Sequence, residues 1–172
     1  AARNFQSFFV KTDGTLWVTG LNKIGRAAGS ARVYIPVLAE LLKNDTSVAA
    51  GATHTLFVKT DGTAWGMGYN GNGQLGDGTT FAKQLPTQVL TGVQAVAAGY
   101  NHGLFLKTDG TLWITGLNSG GQLGDGTGIS RQTPIQVASG VQDIAAGADS
   151  TCSASGPSPT SPSRRVRTGP SV

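Results

Sequence analysis

The sequence KTDGTLW at residues 11–17 returns as KTDGTAW at 59–65 and as KTDGTLW at 107–113, at a constant interval of 48 residues. Aligned without a gap, residues 51–98 and 99–146 are identical at 28 of 48 positions. Self-similarity at a fixed period of this length is typical of arrays in which each repeat is one small structural unit. The sequence therefore predicts repeats at 51–98 and 99–146, preceded by a further copy at 1–50.

Each repeat contains four short segments that are typical of β-strands. In one copy we expect strands at 93–98, 102–108, 111–115 and 134–137, with a glycine-rich loop at 118–128 before the last of them. Asp109 and Gly110 separate the second and third segments, and this pair favours a two-residue hairpin of type I′. The middle strands are apolar at most positions, as in sheets that are covered on both faces. Because such a unit needs neighbours on both sides, we predict an all-β array of stacked four-stranded sheets.

Charge is unevenly distributed along the chain. Residues 1–152 contain ten Lys and Arg against nine Asp and Glu, whereas residues 153–172 add three Arg and no acid. A nucleic-acid-binding domain usually carries a basic stripe on its own surface, so we expect no nucleic-acid partner. The apolar stretches are shorter than the roughly 20 residues that a membrane-spanning helix needs, so we expect no membrane span. The single cysteine, Cys152, excludes an intrachain disulfide.

The repeat resembles that of the regulator of chromosome condensation family. The resemblance rests on VAAGYNH at 96–102, KTDGTLW at 107–113 and GQLGDG at 121–126, together with the matching segments of the preceding copy, and it extends over about residues 4–152. It implies a β-propeller of four-stranded blades, seven in the full family ring. About three are present here, and we expect the remaining blades elsewhere in the same polypeptide. The compact unit is similar to prokaryotic members, which favours a larger bacterial protein, extracellular or cell-surface in preference to cytoplasmic.

The ends of the array depart from the repeat. GRAAGS at 25–30 replaces the glycine-rich signature in the first copy, and residues 36–43 there have a more helical composition. Gln6 stands where the later copies have histidine, and Ser150 does so at the other end. We therefore predict a degenerate first blade at 1–50, the start of a truncated repeat at 147–152, and a disordered Ser/Pro/Arg-rich tail at 153–172. An out-of-frame origin and a genuine basic linker are both open for this tail.

The residues that recur from copy to copy are predicted to be structural. We expect the two histidines to lie at the start of a buried strand and to bond between blades, the Asp–Gly pairs to form turns, and the tryptophans to pack. The signature positions are His54, Asp61, Gly62, Trp65, Gly68, Gly73, Gln74, Leu75, Gly76, Gly99, His102, Asp109, Gly110, Trp113, Gly116, Gly121, Gln122, Leu123 and Gly124.

Two motifs allow other interpretations. GNGQLG at 71–76 fits the dinucleotide fingerprint G-x-G-x-x-G, but that fingerprint needs a helix after it and none is predicted here. We expect these glycines to permit positive φ in a loop instead. Asp77 and Asp125 lie between loop glycines and are expected to accept hydrogen bonds from backbone N–H groups, with calcium as the alternative ligand. We predict no catalytic residue, no metal site and no cofactor.

These expectations favour a non-catalytic protein-interaction scaffold whose partner the sequence does not specify. The family resemblance implies two alternatives. One is guanine-nucleotide exchange on a Ras-like small GTPase, and the other is inhibition of a secreted enzyme. All three depend on protein contacts, and a fold does not by itself choose between them.

Overall fold

The computed structural model describes residues 2–3, 6–10, 16–20, 45–148 and 150–155, and the regular structure of these residues is all β-strand. The strands form four antiparallel sheets. The first sheet contains β1 (Ala2–Arg3), β2 (Gln6–Val10) and β3 (Leu16–Gly20). The second contains β4 (Asp45–Ala50), β5 (His54–Lys59), β6 (Ala64–Gly68) and β7 (Lys83–Leu90). The third contains β8 (Val93–Ala98), β9 (His102–Lys107), β10 (Leu112–Gly116) and β11 (Arg131–Ala138). The fourth contains β12 (Val141–Ala146) and β13 (Thr151–Ser155).

The second and third sheets are complete four-stranded meanders, with strand orders β4-β5-β6-β7 and β8-β9-β10-β11. Their registers are the same after a shift of 48 residues: His54 pairs with Gly68, and His102 pairs with Gly116. The predicted all-β array of four-stranded units is therefore confirmed. In the described part of the chain, no helix is long and apolar enough to cross a membrane.

Two strands differ from the sequence-based expectation by more than one residue. The outer strand β11 is eight residues long, whereas four were predicted, because its polar first half also pairs with β10, as in the pair Gly116 and Arg131. Strand β13 continues to Ser155, past the expected end of the repeat at Cys152, because it pairs with β12 over its whole length. The loop at 25–30 that lacks the signature and the segment of more helical composition at 36–43 lie outside the described residues, as does the rest of the tail.

Apolar side chains fill the space between successive sheets. One buried cluster joins the second sheet to the third, and its members are Ala49, Leu56, Val58, Ala64, Leu75, Val93, Val96 and Phe105. A second cluster joins the third sheet to the fourth through Ala97, Leu104, Leu106, Leu112, Ile114, Leu123 and Val141. Strand β9 contributes to both, because successive side chains of a strand point to opposite faces. Each large side chain buried here stabilises the stack by roughly 1.5–3 kcal/mol.

The sharp corners between the first and second strands of each sheet are linked to one another through the main chain. The N–H of Ala52 donates to the carbonyl of Tyr100 at 3.3 Å, and the N–H of Tyr100 donates to the carbonyl of Ala148 at 2.8 Å. The long loops start beside the same corners, since the N–H of Tyr69 donates to the carbonyl of Thr53. We call this end of the stack, formed by residues 51–53, 69–82, 99–101 and 117–130, the loop end. The hairpins at 60–63 and 108–111 form the opposite, hairpin end.

Candidate functional site

The signature KTDGT forms a three-residue hairpin loop at the hairpin end. The N–H of Gly110 donates to the carbonyl of Lys107, and the N–H of Lys107 donates to the carbonyl of Thr111. Thr108 and Asp109 are thus the central residues of the turn, and Gly110 follows it with a φ of 78°. The predicted two-residue type I′ turn is wrong: the loop is the three-residue kind in which a glycine with positive φ follows the turn. Gly62 has the same place in the preceding copy, with a φ of 76°.

The other members of this signature form a hydrogen-bond relay. The indole N–H of Trp65 donates to the Thr63 hydroxyl at 2.7 Å, and that hydroxyl donates to the Asp61 carboxylate at 2.6 Å. The ammonium of Lys59 lies 4.3 Å from the centroid of the Trp65 ring, within the range of a cation–π contact. The next copy repeats this relay through Asp109 and Trp113.

Hydrogen bonding explains the electrostatics of the relay carboxylates. The Thr63 hydroxyl and N–H stabilise the ionised carboxylate and hold the pKa of Asp61 below its usual value. Thr111 does the same for Asp109. Both carboxylates therefore stabilise a local turn, so these signature residues have a structural role.

Each long loop at the loop end is organised around a buried asparagine. The side-chain oxygen of Asn70 accepts from the Leu75 N–H at 3.0 Å, and its amide group donates to Asp77 and to the Thr79 carbonyl, both at 2.9 Å. Asn118 makes the equivalent bonds in the next copy. Neither asparagine was singled out in the sequence, although both recur at the 48-residue interval.

The two loop aspartates accept hydrogen bonds from main-chain N–H groups, as expected, and also form ion pairs. Asp77 lies 2.8 Å from the Lys83 ammonium, and Asp125 lies 2.7 Å from the Arg131 guanidinium. Burial acts to raise the pKa of Asp77, but the bonds from Lys83 and Thr79 outweigh it, and the pKa lies below the usual value. For Asp125, the guanidinium of Arg131 is the main cause of a strongly lowered pKa.

The loop glycines give no support to a nucleotide site. Three glycines in each loop have positive φ, and they are Gly73, Gly76 and Gly78 in the first loop and Gly121, Gly124 and Gly126 in the second. After GNGQLG at 71–76 the chain enters strand β7, whereas the dinucleotide fingerprint requires a helix whose N-terminus meets the phosphates. Leu75 and Leu123 point inwards and are buried, so the signature supports the loop and the core.

The histidines lie at the first residues of β5 and β9 and are both buried. A side chain at Gly51 or Gly99 would overlap the imidazole of His54 or His102, so each ring lies directly on a glycine Cα. A side chain at Gly68 or Gly116 would likewise overlap the main chain beside these histidines. The hydrogen bond that we expected His54 to form between blades is not observed, because neither ring nitrogen meets a partner in hydrogen-bonding geometry. Burial, and then the charge of His102, lower the pKa of His54 to about 4.

The loop end also presents large apolar side chains to solvent, which the sequence did not reveal. Tyr69 and Tyr100 are nearly half exposed, Phe81 is 75% exposed, and Ile129 is 62% exposed. Phe81 and Ile129 occupy the same repeat position, two residues before the outer strand. Within the described residues of this end, by contrast, the charged side chains Asp77 and Asp125 are neutralised in the ion pairs just described.

Chemically, this arrangement offers a rigid surface with little net charge. Among the residues that the structure describes, no three His, Cys, Asp or Glu side chains converge as metal ligands would. The loops are held by internal hydrogen bonds, and the exposed apolar groups project from that frame. Such a surface is suited to contact with another macromolecule, because recognition residues commonly lie on loops that a rigid scaffold positions.

Comparison with known structures shows the same fold. Human WBSCR16 superposes with a TM-score of 0.68 and 22% sequence identity, covering 84% of this chain and 41% of that one. Prp20p from Saccharomyces cerevisiae, described with its binding properties to Gsp1p and histones, has a TM-score of 0.71 and 20% identity, covering 88% of this chain and 41% of that one. Yeast RCC1 (Prp20) bound to Kap60 has a TM-score of 0.66 and 24% identity, covering 84% of this chain and 36% of that one. The chain thus spans less than half the length of these structural neighbours.

Sequence comparison identifies the repeat. No curated protein matches the chain. The family model "Regulator of chromosome condensation (RCC1) repeat" matches residues 61–106 and 109–154, and a second model of the same repeat matches 46–74 and 93–122. The first of these covers more than half of the chain. The chain therefore belongs to the regulator of chromosome condensation repeat family, and its stacked sheets are blades of a β-propeller.

Proposed function

We propose that this chain is part of a non-catalytic protein-interaction scaffold and that the loop end is its binding surface. One observation carries the proposal: Tyr69, Phe81, Tyr100 and Ile129 are exposed together at the end of the stack where the charges are paired off. Aromatic residues are enriched, and charged residues depleted, at the centres of protein interfaces. Prp20p is described with its binding to Gsp1p and histones and in complex with Kap60, which supports a protein ligand for this chain as well.

The internal bonding of the loops strengthens this proposal. Asn70 and Asn118 tie both ends of their loops together, so the exposed residues are held in place before any partner arrives. A preformed surface loses little conformational entropy on binding, and this favours affinity. The partner that fits is a protein presenting an uncharged, apolar patch.

The test uses serine substitutions at the loop end, with an exposed leucine elsewhere as the matched control. Phe81→Ser and Tyr100→Ser each remove an apolar group from the loop end, whereas Leu85→Ser removes one from the outer strand β7. Proteins cross-linked to the wild-type chain are identified, and each affinity is then measured with purified components by calorimetry. We expect a loss of about 30-fold or more for a loop-end variant, as for interface hot spots, and no loss for Leu85→Ser.

Unchanged binding by the loop-end variants would count against the loop end as the binding surface. A partner that binds the loop-end variants as tightly as the wild-type chain shows that another surface is used. Turnover of a substrate by the purified chain would contradict the non-catalytic assignment.

Nucleotide exchange on a Ras-like small GTPase is a second candidate, favoured by the structural likeness to Prp20p, which is described with its binding to Gsp1p. If the chain catalyses exchange, adding it should speed the release of a fluorescent guanine nucleotide from a small GTPase. The Tyr100→Ser variant should increase the release rate less than the wild-type chain does. No acceleration across a panel of Ras-like GTPases would remove this candidate. The described residues contain no feature that favours the enzyme-inhibitor alternative.

A further inference from the structure

In the part of the chain that the structure describes, one side-chain position recurs beside the junctions between neighbouring sheets at the loop end. His54, His102 and Ser150 follow the successive corners at intervals of 48 residues, and each faces the glycine three residues before it. The corners are joined by the main-chain bonds from Ala52 to Tyr100 and from Tyr100 to Ala148. A change in charge at one of these positions therefore acts directly on the contact between two sheets.

His54 occupies this place with little to stabilise a positive charge, because burial and the like charge of His102 outweigh the one favourable contact, with the main chain of His102. Its side chain is 2% exposed, and neither ring nitrogen has a hydrogen-bond partner. A Cβ atom added at Gly51 would touch the His54 ring and would also lie only 2.7 Å from the carbonyl oxygen of Gly99, on the neighbouring sheet. The ring is thus confined between its own corner and the next one. A buried ionised group without a partner is strongly unfavourable, so the closed junction requires neutral imidazole.

Both burial and a neighbouring charge oppose protonation of the His54 ring. Among the residues that the structure describes, the titratable groups of the neighbouring corner are Tyr100 and His102, and Tyr69 follows β6, with which His54 pairs. His102 acts on His54 as a like charge, and burial acts in the same direction; together they lower the pKa of His54 to about 4. The main chain of His102 opposes only part of this shift.

We propose that His54 makes the junction between the second and third sheets acid-labile, so that protonation of its ring opens this junction while each sheet keeps its own strand pairing. The acid lability of this junction does not depend on the proposed scaffold function, because it arises from contacts within the stack and not from a partner. Acid would separate the corners and rearrange the exposed residues of the loop end.

The sign and size follow from proton linkage. When the junction opens, the ring is solvated and its pKa returns towards 6.5, so the open state binds a proton that the closed state binds only near pH 4. The closed junction is fully stable above pH 6.5 and loses stability as the pH falls from 6.5 to 4. We expect the opening equilibrium to increase at least about tenfold over this range, and up to about 80-fold if the whole shift is relieved; the limit of roughly 300-fold is reached only well below pH 4.

Hydrogen exchange of single amides tests this proposal in the full chain. The N–H of Val93 bonds to the carbonyl of Gly62 across the junction, and that of Ala52 bonds to Tyr100. After correction for the intrinsic pH dependence of exchange, these amides should lose protection between pH 6.5 and 4. The amides of β9 that bond within the third sheet should keep it.

The first copy of the repeat indicates a suitable substitution for His54. Gln6 stands at the equivalent position of the first copy, so His54→Gln places there a polar residue that this repeat already uses. His54→Gln should remove the loss of protection between pH 6.5 and 4. Asp143→Asn, which removes an exposed carboxylate from β12, should leave it unchanged.

Two results would overturn the proposal. One is a wild-type pH profile for the cross-junction amides in His54→Gln. The other needs no variant: the chain has only two histidines, so their ring signals can be titrated by NMR in the wild-type protein. Titration of His54 near 6.5 with the junction amides still protected would show that the ring can be charged in the closed stack.

Discussion

The two long loops at 70–79 and 118–127 have the same sequence, GQLGDGT, over their last seven residues, but they have different surroundings. Internally they are alike, since each is held by a buried asparagine, a bonded aspartate and glycines with positive φ. The first loop is covered by the next sheet. In the second loop, a side chain added at Gly121, Gly124 or Gly126 would meet no described atom within 4 Å.

The covering sheet contacts the first loop through main-chain and short side-chain groups. The Thr115 hydroxyl donates to the carbonyl of Gly73 at 2.8 Å, and the N–H of Gly78 donates to the carbonyl of Gln132 at 2.9 Å. Gln74 is fully buried, whereas Gln122 in the second loop is half-buried. The loop signature therefore has two roles: it folds the loop locally, and it forms a surface on which the next blade packs.

The largest expected effect is a difference between two glycine substitutions. Gly73→Ala and Gly121→Ala both place a side chain at positive φ, which costs about 1 kcal/mol. Only Gly73→Ala also brings a Cβ to 2.7 Å from Gln132 Cα. We expect a total loss of about 3 kcal/mol for Gly73→Ala, since overpacking adds typically 1–3 kcal/mol. Urea unfolding of both variants measures this difference, and equal losses would mean that the next sheet does not constrain the first loop.

A smaller difference is expected for the two glutamines. Gln74 accepts the Asn72 N–H at 2.9 Å, and its side-chain amide lies 3.5 Å from the Asn101 oxygen on the next sheet. Gln74→Ala should lower the free energy of unfolding by about 2 kcal/mol, because it leaves a cavity and unpaired polar groups in the junction. Gln122→Ala should cost less than about 1 kcal/mol, because water can replace a half-buried side chain. Thermal unfolding suffices to compare them, and a larger loss for Gln122→Ala would contradict the comparison.

The smallest contrast concerns acid, where the two loops should behave alike. The pKa values of Asp77 and Asp125 are both lowered in the folded chain. Their contribution to stability is present above the usual value of about 3.9 and is lost as the pH falls below it. Asp77→Asn and Asp125→Asn should each flatten the decline in the urea midpoint between pH 4 and 2. A change in only one of them would show that coverage by the next sheet also controls the loop carboxylates.

Much of this fold could be predicted from the sequence. Because the apolar strands of one repeat are bounded by Gly and Asp–Gly signals, β8 was placed at its observed bounds, 93–98, and β9 within one residue. The outer strand β11 was predicted too short, because the polar residues at 131–133 become strand only through pairing with β10. The hairpin type was missed because an Asp–Gly pair also occurs where only the glycine has positive φ.

The candidate surface was harder to predict, for a different reason. The repeat pattern shows which residues recur, but it does not show which recurring position faces solvent. Phe81 and Ile129 differ in type, so they did not enter the signature, and their shared exposure becomes visible only when the loops are placed on the stack. The asparagines at 70 and 118 recur in the sequence, yet their role depends on bonds to residues up to eleven positions away.

The link between the corners at residues 52, 100 and 148 uses only main-chain atoms, and this has a consequence for engineering. The side chains there are Ala, Tyr and Ala, and the same joint forms between them. The side chains at positions 100 and 148, which are not fully buried, can therefore be varied without altering the link between the corners, whereas Ala52 is buried and must stay small. A panel of such variants would carry different chemical groups at two steps around the stack on one unchanged backbone.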